Sequence, residues 1–269
     1  MNTVLQINFR SEVLLLNDAM NVILPDDRTE GDIPVLWLLH GGSGNENDWL
    51  HYTRIRAYAD RHRIAVVMPH AGYSRYCNMY WGADYFTFLT GELPKIVHYM
   101  FPKLSSRRED NYIAGFSLGG SGAISMAMRC PEQYGTVGII SASSIIPLEH
   151  LRPKSAGGPP APGGEGKMSV NRVNFGVEDT GELAGNPEHD VLLNARSIIA
   201  EGKPAPRVYH ACGTEDHAYP VALGLKEFFD SFEGNPFRYE LHLSPGGHTD
   251  DFQDFAIREF IDTVFESRR

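Results

Sequence analysis

Short apolar runs rich in β-branched and aromatic residues recur along this chain, and most are continuous rather than alternating. They are PVLWLLH (34–40), IAVVMP (64–69), NYIAG (111–115), TVGIIS (136–141), PRVYHAC (206–212) and FRYELHLS (237–244). A strand that is apolar at successive positions must be covered on both faces, the condition of a central strand in a parallel sheet. Between the runs lie patterns of helical spacing at 48–62, 84–100, 118–130, 190–201, 220–232 and 251–267. Strand and helix alternate, so an α/β fold is expected, with a mostly parallel sheet, helices on both faces and active groups at the carboxyl ends of the strands. The first 24 residues read differently: TVLQINF, EVLLL and MNVIL alternate apolar and polar positions, as half-buried antiparallel strands do, and predict a hairpin or meander. A chain of 269 residues with 42% hydrophobic content can bury one large core, and a single domain over 1–269 is expected.

One segment breaks the alternation. RPKSAGGPPAPGGEGKMS (152–169) is dominated by Pro and Gly and cannot be regular structure. It sits in an irregular insertion at about 145–189, which is either a surface excursion or a lid over a site, since long loops in compact domains are often lids.

The stretch GFSLGGSGA (115–123) collects glycines where strand NYIAG meets a helical pattern, although glycine weakens both strand and helix interiors. Gly115, Phe116, Ser117, Leu118 and Gly119 form a G-x-S-x-G nucleophile elbow in its required strand–turn–helix context. The glycines two before and two after Ser117 relieve crowding in a sharp turn that lifts its hydroxyl above the sheet. At a helix N-terminus, backbone N–H groups favour developing negative charge there.

A serine needs a base, and the base needs an orienting acid. With chain order Ser, acid, His, the base should follow the last strand. His248, in LSPGGHTDDF, does so; His242 lies within the strand, and His210 and His217 precede or accompany the acid region. Among the carboxylates Asp190, Glu215, Asp216, Asp250 and Asp251, only Glu215 and Asp216 follow directly on a strand, while the other three sit where helix caps belong. The shorter side chain of Asp216 has less rotamer freedom to lose in holding a ring. An oxyanion hole needs the N–H after the nucleophile, Leu118, and a second donor from the loop after an earlier strand. LLHGGSGNENDW (38–49) supplies that loop, and Gly42 is the expected donor, with Gly41 a candidate substrate contact.

The net charge of −10 argues against nucleic acid or an anionic membrane surface as partner and for a small-molecule ester. Cys77, Cys130 and Cys212 are odd in number and far apart, which suggests buried thiols rather than disulfides. His40 with Glu46 and Asp48 lacks a second histidine at ligand spacing, so no metal and no cofactor are expected. The N-terminus has no basic segment followed by a long apolar core, and no stretch approaches ~18 apolar residues; a cytoplasmic protein is the expectation. The aromatic run YSRYCNMYWGADYF (73–86) is either packing or a platform for an aryl or sugar group, with Tyr80 and Trp81 foremost.

Taken together, LLHGGSGNENDW, MPHAGYSRYCNMYWGADYFTFLTGELP, IAGFSLGGSGA, CGTEDHAYP and SPGGHTDDF resemble, in order, the esterase D or tributyrin-esterase-like branch of the α/β-hydrolases. That branch includes S-formylglutathione hydrolases, short-acyl carboxylesterases and feruloyl or acetyl-sugar esterases. The resemblance implies an α/β-hydrolase fold, Ser117 as nucleophile, Asp216 as acid, His248 as base, Gly42 and Leu118 as oxyanion donors, and a homo-oligomer, dimer or tetramer. It implies hydrolysis of acetyl to butyryl esters, with S-formylglutathione or feruloyl ester hydrolysis as alternatives. A non-catalytic binding protein of the same fold is the remote one, and its usual sign, a lost triad member, is missing here. The chain departs from the pattern at TDDFQ after His248, where relatives commonly place an aromatic, and in its longer Pro/Gly-rich insertion.

Overall fold

The computed structural model describes residues 2–26, 31–153 and 168–266. Among them, strands β1 (Thr3–Arg10), β2 (Asn17–Leu24), β3 (Val35–Leu39), β4 (Ala65–Pro69), β5 (Asn111–Phe116), β6 (Thr136–Ile140), β7 (Arg207–Gly213) and β8 (Glu240–Ser244) form one sheet, ordered β1-β2-β4-β3-β5-β6-β7-β8. β1 pairs with β2, and β2 with β4, antiparallel; from β4 through β8 every pairing is parallel. The four central strands β3 to β6 are buried at every position, as their continuous apolar runs require. β1, at the edge, keeps the alternation.

Two strand expectations shift. EVLLL is no strand: residues 12–16 turn the chain from β1 to β2, closed by Ser11 N–H donating to Leu16 O at 2.9 Å and by Glu92, whose carboxylate accepts from the Ser11 hydroxyl and the Glu12 N–H. Leu14 is buried while Leu15 stands exposed at a φ of 59°, so the apolar cluster serves a turn. FRYELHLS pairs only from Glu240 onward, because Asn235 and Arg238 both adopt a φ of 45° and Asn235 Oδ1 accepts from Tyr239 N–H, holding a turn ahead of the strand.

The helices are α1 (Asp48–Tyr52), α2 (Ile55–His62), α3 (Tyr85–Thr87), α4 (Leu93–Met100), α5 (Leu118–Arg129), α6 (Val170–Phe175), α7 (Val191–Ala200), α8 (Tyr219–Asp230) and α9 (Asp250–Glu266). The pattern at 48–62 breaks at Thr53, which turns extended and accepts from Ile55 N–H, starting α2 afresh. The pattern at 84–100 widens into a π turn over Phe88–Glu92, just ahead of Pro94, which has no N–H to donate; Leu93 N–H reaches back to Phe88 O instead. The last pattern, at 251–267, runs through Glu266, and residue 267 lies outside the described residues. Residues 154–167 of the Pro/Gly-rich stretch lie outside them too; its described flanks carry α6 and 3-10 turns at Leu148–Leu151 and Thr180–Leu183.

Trp49, Tyr58, Ile257 and Phe260 of α1, α2 and α9 cover one face of the sheet, and residues of α4, α5 and α7 cover the other. After β3 the chain runs through α1 and α2 to β4 on one side; after β5 it runs through α5 to β6 on the opposite side. The loops leaving β3 and β5 therefore diverge, opening the crevice where parallel sheets hold ligands.

Candidate active site

Ser117 is the single residue between β5 and α5, and its backbone is forced to φ 55°, ψ −118°. The neighbouring glycines allow this. A Cβ on Gly115 would lie 2.3 Å from the Gly119 carbonyl carbon, and one on Gly119 would lie 2.4 Å from Leu39 O, both backbone atoms that cannot move aside. Ser117 N–H donates to Ile140 O at 2.8 Å, fixing the turn on β6.

β7 ends at Gly213, and three residues later Asp216 turns inward with a fully buried side chain, while Glu215 faces solvent. His248 follows β8 through Pro245–Gly247. Its Nδ1 lies 3.0 and 3.1 Å from the two Asp216 oxygens, and its Nε2 lies 2.9 Å from Ser117 Oγ. The Phe116 ring packs on the imidazole at 4.6 Å between centroids. Burial pushes the Asp216 carboxyl up, but the hydrogen bond from His248, the Ala218 N–H and the nearby imidazole outweigh it and hold the group below its ordinary value. Asp216 therefore stays ionised against the ring.

The other carboxylates are elsewhere. Asp190 caps α7 by accepting from Leu193 N–H at 2.9 Å. Asp250 and Asp251 sit exposed in the first turn of α9, and its side-chain cap is Thr249, which accepts from Phe252 N–H, rather than either aspartate. Among the histidines, His210 is wholly buried against Tyr239, and burial drives its value down to about 3. His242 stacks on Tyr209. His217 is closer: its Nδ1 is 3.4 Å from Asp216 Oδ1, its Nε2 3.3 Å from Ser143 Oγ, and its ring 4.3 Å from that of His248.

The loop after β3 is held by His40. Its Nε2 accepts from Ala71 N–H at 3.0 Å, so Nδ1 carries the proton and donates to Gly41 O at 2.7 Å; burial lowers its pKa and keeps the ring neutral. Both His40 nitrogens are thus engaged within the protein. The Gly41–Gly42 peptide plane is thereby fixed, and in a trans peptide the Gly42 N–H points opposite the Gly41 carbonyl. Gly41 and Gly42 lie against Phe116, Ser117 and Leu118.

A cavity of about 690 Å³ opens here, with Gly42, Ser117, Leu118 and His248 in its wall. A second, of about 30 Å³, lies behind Leu118 and shares Arg75, Leu118 and Ser144 with it. Arg75 donates to Glu149 Oε2 at 2.7 Å, to Asn171 Oδ1 at 2.9 Å and to Ser144 O at 3.2 Å; Glu149 also bonds the Thr180 hydroxyl. Residues from both described flanks of the insertion thus line the cavity. Tyr80 and Trp81 are not in the cavity wall: they are 64% and 60% exposed, and their N–H groups donate to Asn174 and Val173 of α6. Sequence reasoning missed Arg75, Glu149, Asn171 and Thr180. Their partners lie tens of residues apart, and no local pattern announces such contacts.

Among the described residues, one group has metal-ligand spacing: Asp216, His217 and His248. No described helix is long and apolar enough to cross a membrane. All three cysteines are free, and burial pushes the thiols of Cys77 and Cys212 up to about 12.

The mostly parallel sheet, its antiparallel start and its solved relatives make this an α/β-hydrolase. The chain belongs to the esterase family: the family model described as "Putative esterase" matches residues 15–236. It is 29% identical over 273 residues to an acetyl esterase of Caldicellulosiruptor saccharolyticus, covering 98% of this chain and 97% of that one. Two Staphylococcus aureus structures superpose closely. The fluorophosphonate-binding serine hydrolase F has a TM-score of 0.84, 28% identity and 98% coverage of each chain. The S-formylglutathione hydrolase has a TM-score of 0.83 and 28% identity, covering 98% of this chain and 99% of that one.

Proposed function

We propose that this esterase is a serine carboxylesterase working on short-chain acyl esters through an acyl-enzyme. The observation that carries the reading is the unbroken line Asp216, His248, Ser117, with the Nε2–Oγ distance of 2.9 Å suited to proton transfer. Ser117 Oγ attacks the ester carbonyl as His248 Nε2 takes its proton. Asp216, ionised and bound to Nδ1, orients the ring and stabilises the imidazolium. The N–H groups of Gly42 and Leu118 receive the oxyanion; Leu118 N–H is free to do so as the first of a helix, where backbone donors have no partner within the helix. His248 returns the proton to the leaving alcohol, and water repeats the sequence to free the acid.

Acyl length follows from space. The cavity of about 30 Å³ behind Leu118 supports acetyl to butyryl groups, and the acetyl esterase relative points the same way. The larger cavity is walled by hydroxyl, amide and charged side chains, which suits a polar alcohol such as a sugar. Arg75 and Arg152 both line the cavity, and Arg75 is already paired with Glu149. The test is Ser117→Ala, assayed on p-nitrophenyl acetate through palmitate beside acetylated xylan, methyl ferulate and S-formylglutathione. The variant should fold and lose several orders of magnitude in kcat. Retention of more than about a tenth of the activity removes Ser117 from its role, and a kcat/KM rising to palmitate removes the short-acyl reading. The homo-oligomer belongs to the same proposal and is read by light scattering.

A further inference from the structure

His217 has no part in the proton relay, yet it shares the Asp216 carboxylate with His248. Asp216 Oδ1 lies 3.1 Å from His248 Nδ1 and 3.4 Å from His217 Nδ1. Around a tetrahedral Zn²⁺ with bonds of about 2.0–2.1 Å, neighbouring ligand atoms stand roughly 3.3 Å apart, so two edges of such a site are already set. One ligand atom from each of the three residues lies within 4.8 Å of the other two. His217, whose side chain is 27% exposed, and His248 line the cavity in front of the buried Asp216 carboxylate, so an ion would approach from the cavity side.

We propose that Asp216, His217 and His248 form an inhibitory site for a borderline-soft divalent cation, Zn²⁺ or Cu²⁺. Two imidazoles and one carboxylate suit these ions, whereas Mg²⁺ and Ca²⁺ demand oxygen ligands. The consequence for catalysis is a matter of protons. A metal on His248 Nδ1 needs that nitrogen's lone pair, so the Nδ1 proton leaves and Nε2 takes one up, with no net change on the ring. Nε2 then donates to Ser117 Oγ instead of accepting from it, and the serine cannot be deprotonated. The metal also withdraws the Asp216 charge from the ring. The blockade rests on His248 being the base; the metal site does not.

Two readouts separate these. Calorimetric titration of the EDTA-treated protein with ZnCl₂ should show one ion per chain. His217→Ala and His217→Gln should both weaken binding by at least the roughly 10–100-fold that loss of an outer-shell partner costs. Gln keeps the bulk and the reach to Ser143, so a folding defect in the alanine variant leaves the second to decide. Equal affinity in wild type and a folded His217 variant, or no binding at millimolar Zn²⁺, overturns the site. Wild-type turnover of p-nitrophenyl acetate should fall with the same Zn²⁺ dependence and return on adding EDTA, with Mg²⁺ inert. Binding that depends on His217 but leaves turnover intact overturns the blockade while the metal site stands; the assignment of His248 as base is judged separately, from the turnover of His248→Ala.

Discussion

Around Ser117 the chain is fixed by backbone packed against backbone; across the cavity, residues 144–153 and 168–183 are held by hydrogen bonds, many of them made by side chains. At the elbow, Gly115 and Gly119 bring β5, α5 and β3 to within a distance no Cβ tolerates. On the facing wall, Arg75 gathers Ser144, Glu149 and Asn171, and Glu149 reaches Thr180. Close packing has one solution and resists small displacements. A set of hydrogen bonds at a partly wetted rim is weaker and can be remade with a substrate in place. The difference suits the two tasks of the proposed reaction, in which the reacting atoms need fixed positions and a wall facing the alcohol group needs to adapt.

The largest expected effect comes from filling the elbow. In Gly119→Ala the new methyl meets Leu39 O and His40 O at 2.4 and 2.5 Å, so the start of α5 and the end of β3 must part. A loss of about 3 kcal/mol is expected, as for the more severe overpacking cases, with a melting temperature lower by roughly 6–12 °C. Turnover should collapse as well, because β3 leads directly into the Gly42 loop. An unchanged melt would show that the close approach is incidental.

Breaking the facing wall should do less and do it locally. In Arg75→Met, the Glu149 carboxylate loses its cation and Asn171 its donor. The Arg75 and Glu149 side chains are 9% and 19% exposed, so the pair is part-wetted and its loss is expected to cost about 1–3 kcal/mol rather than the cost of a fully buried pair. Amide exchange should quicken in 148–151 and 170–183 and stay slow in α5, with KM rising several-fold and kcat nearly kept. If kcat falls as far as KM rises, the wall takes part in setting the reacting geometry and the contrast between the two regions is lost.

The same contrast explains what was legible in the sequence. GFSLGG specified Ser117 because steric necessity confines glycine to a few positions, and a local rule leaves a local trace. Asp216 and His248 were legible from their places after β7 and β8, since a strand end fixes where a side chain stands. EVLLL misled because a turn held by Glu92, some eighty residues away, outweighed the strand periodicity of the run itself. Arg75, Glu149 and Thr180 left no trace, because contacts between charged groups on distant loops carry no spacing rule. Tyr80 and Trp81 drew notice by residue type, and residue type does not say which way a loop faces.

The smallest effect probes whether the two regions are independent. Asp190, buried at the end of the insertion, accepts from Leu193 N–H at 2.9 Å and from Gly185 N–H at 2.7 Å, so one carboxylate both starts α7 and holds the returning loop. An amide in its place has a single acceptor oxygen and turns an N–H₂ toward one of the two donors. Asp190→Asn should therefore cost about 1 kcal/mol, the usual worth of an N-cap, or a melt lower by roughly 2–4 °C. Since α7 packs on α5 without bonding Ser117, Ser117 should keep its place, and kcat/KM should stay within about twofold of wild type, since such a cap acts on stability. A loss of activity near that of Ser117→Ala, with the fold intact, would return Asp190 to the list of candidate acids and require the relay to be redrawn. A loss of about tenfold would mean instead that displacement of the loop reaches Ser117 through α7 and α5, so that elbow and wall move as one body.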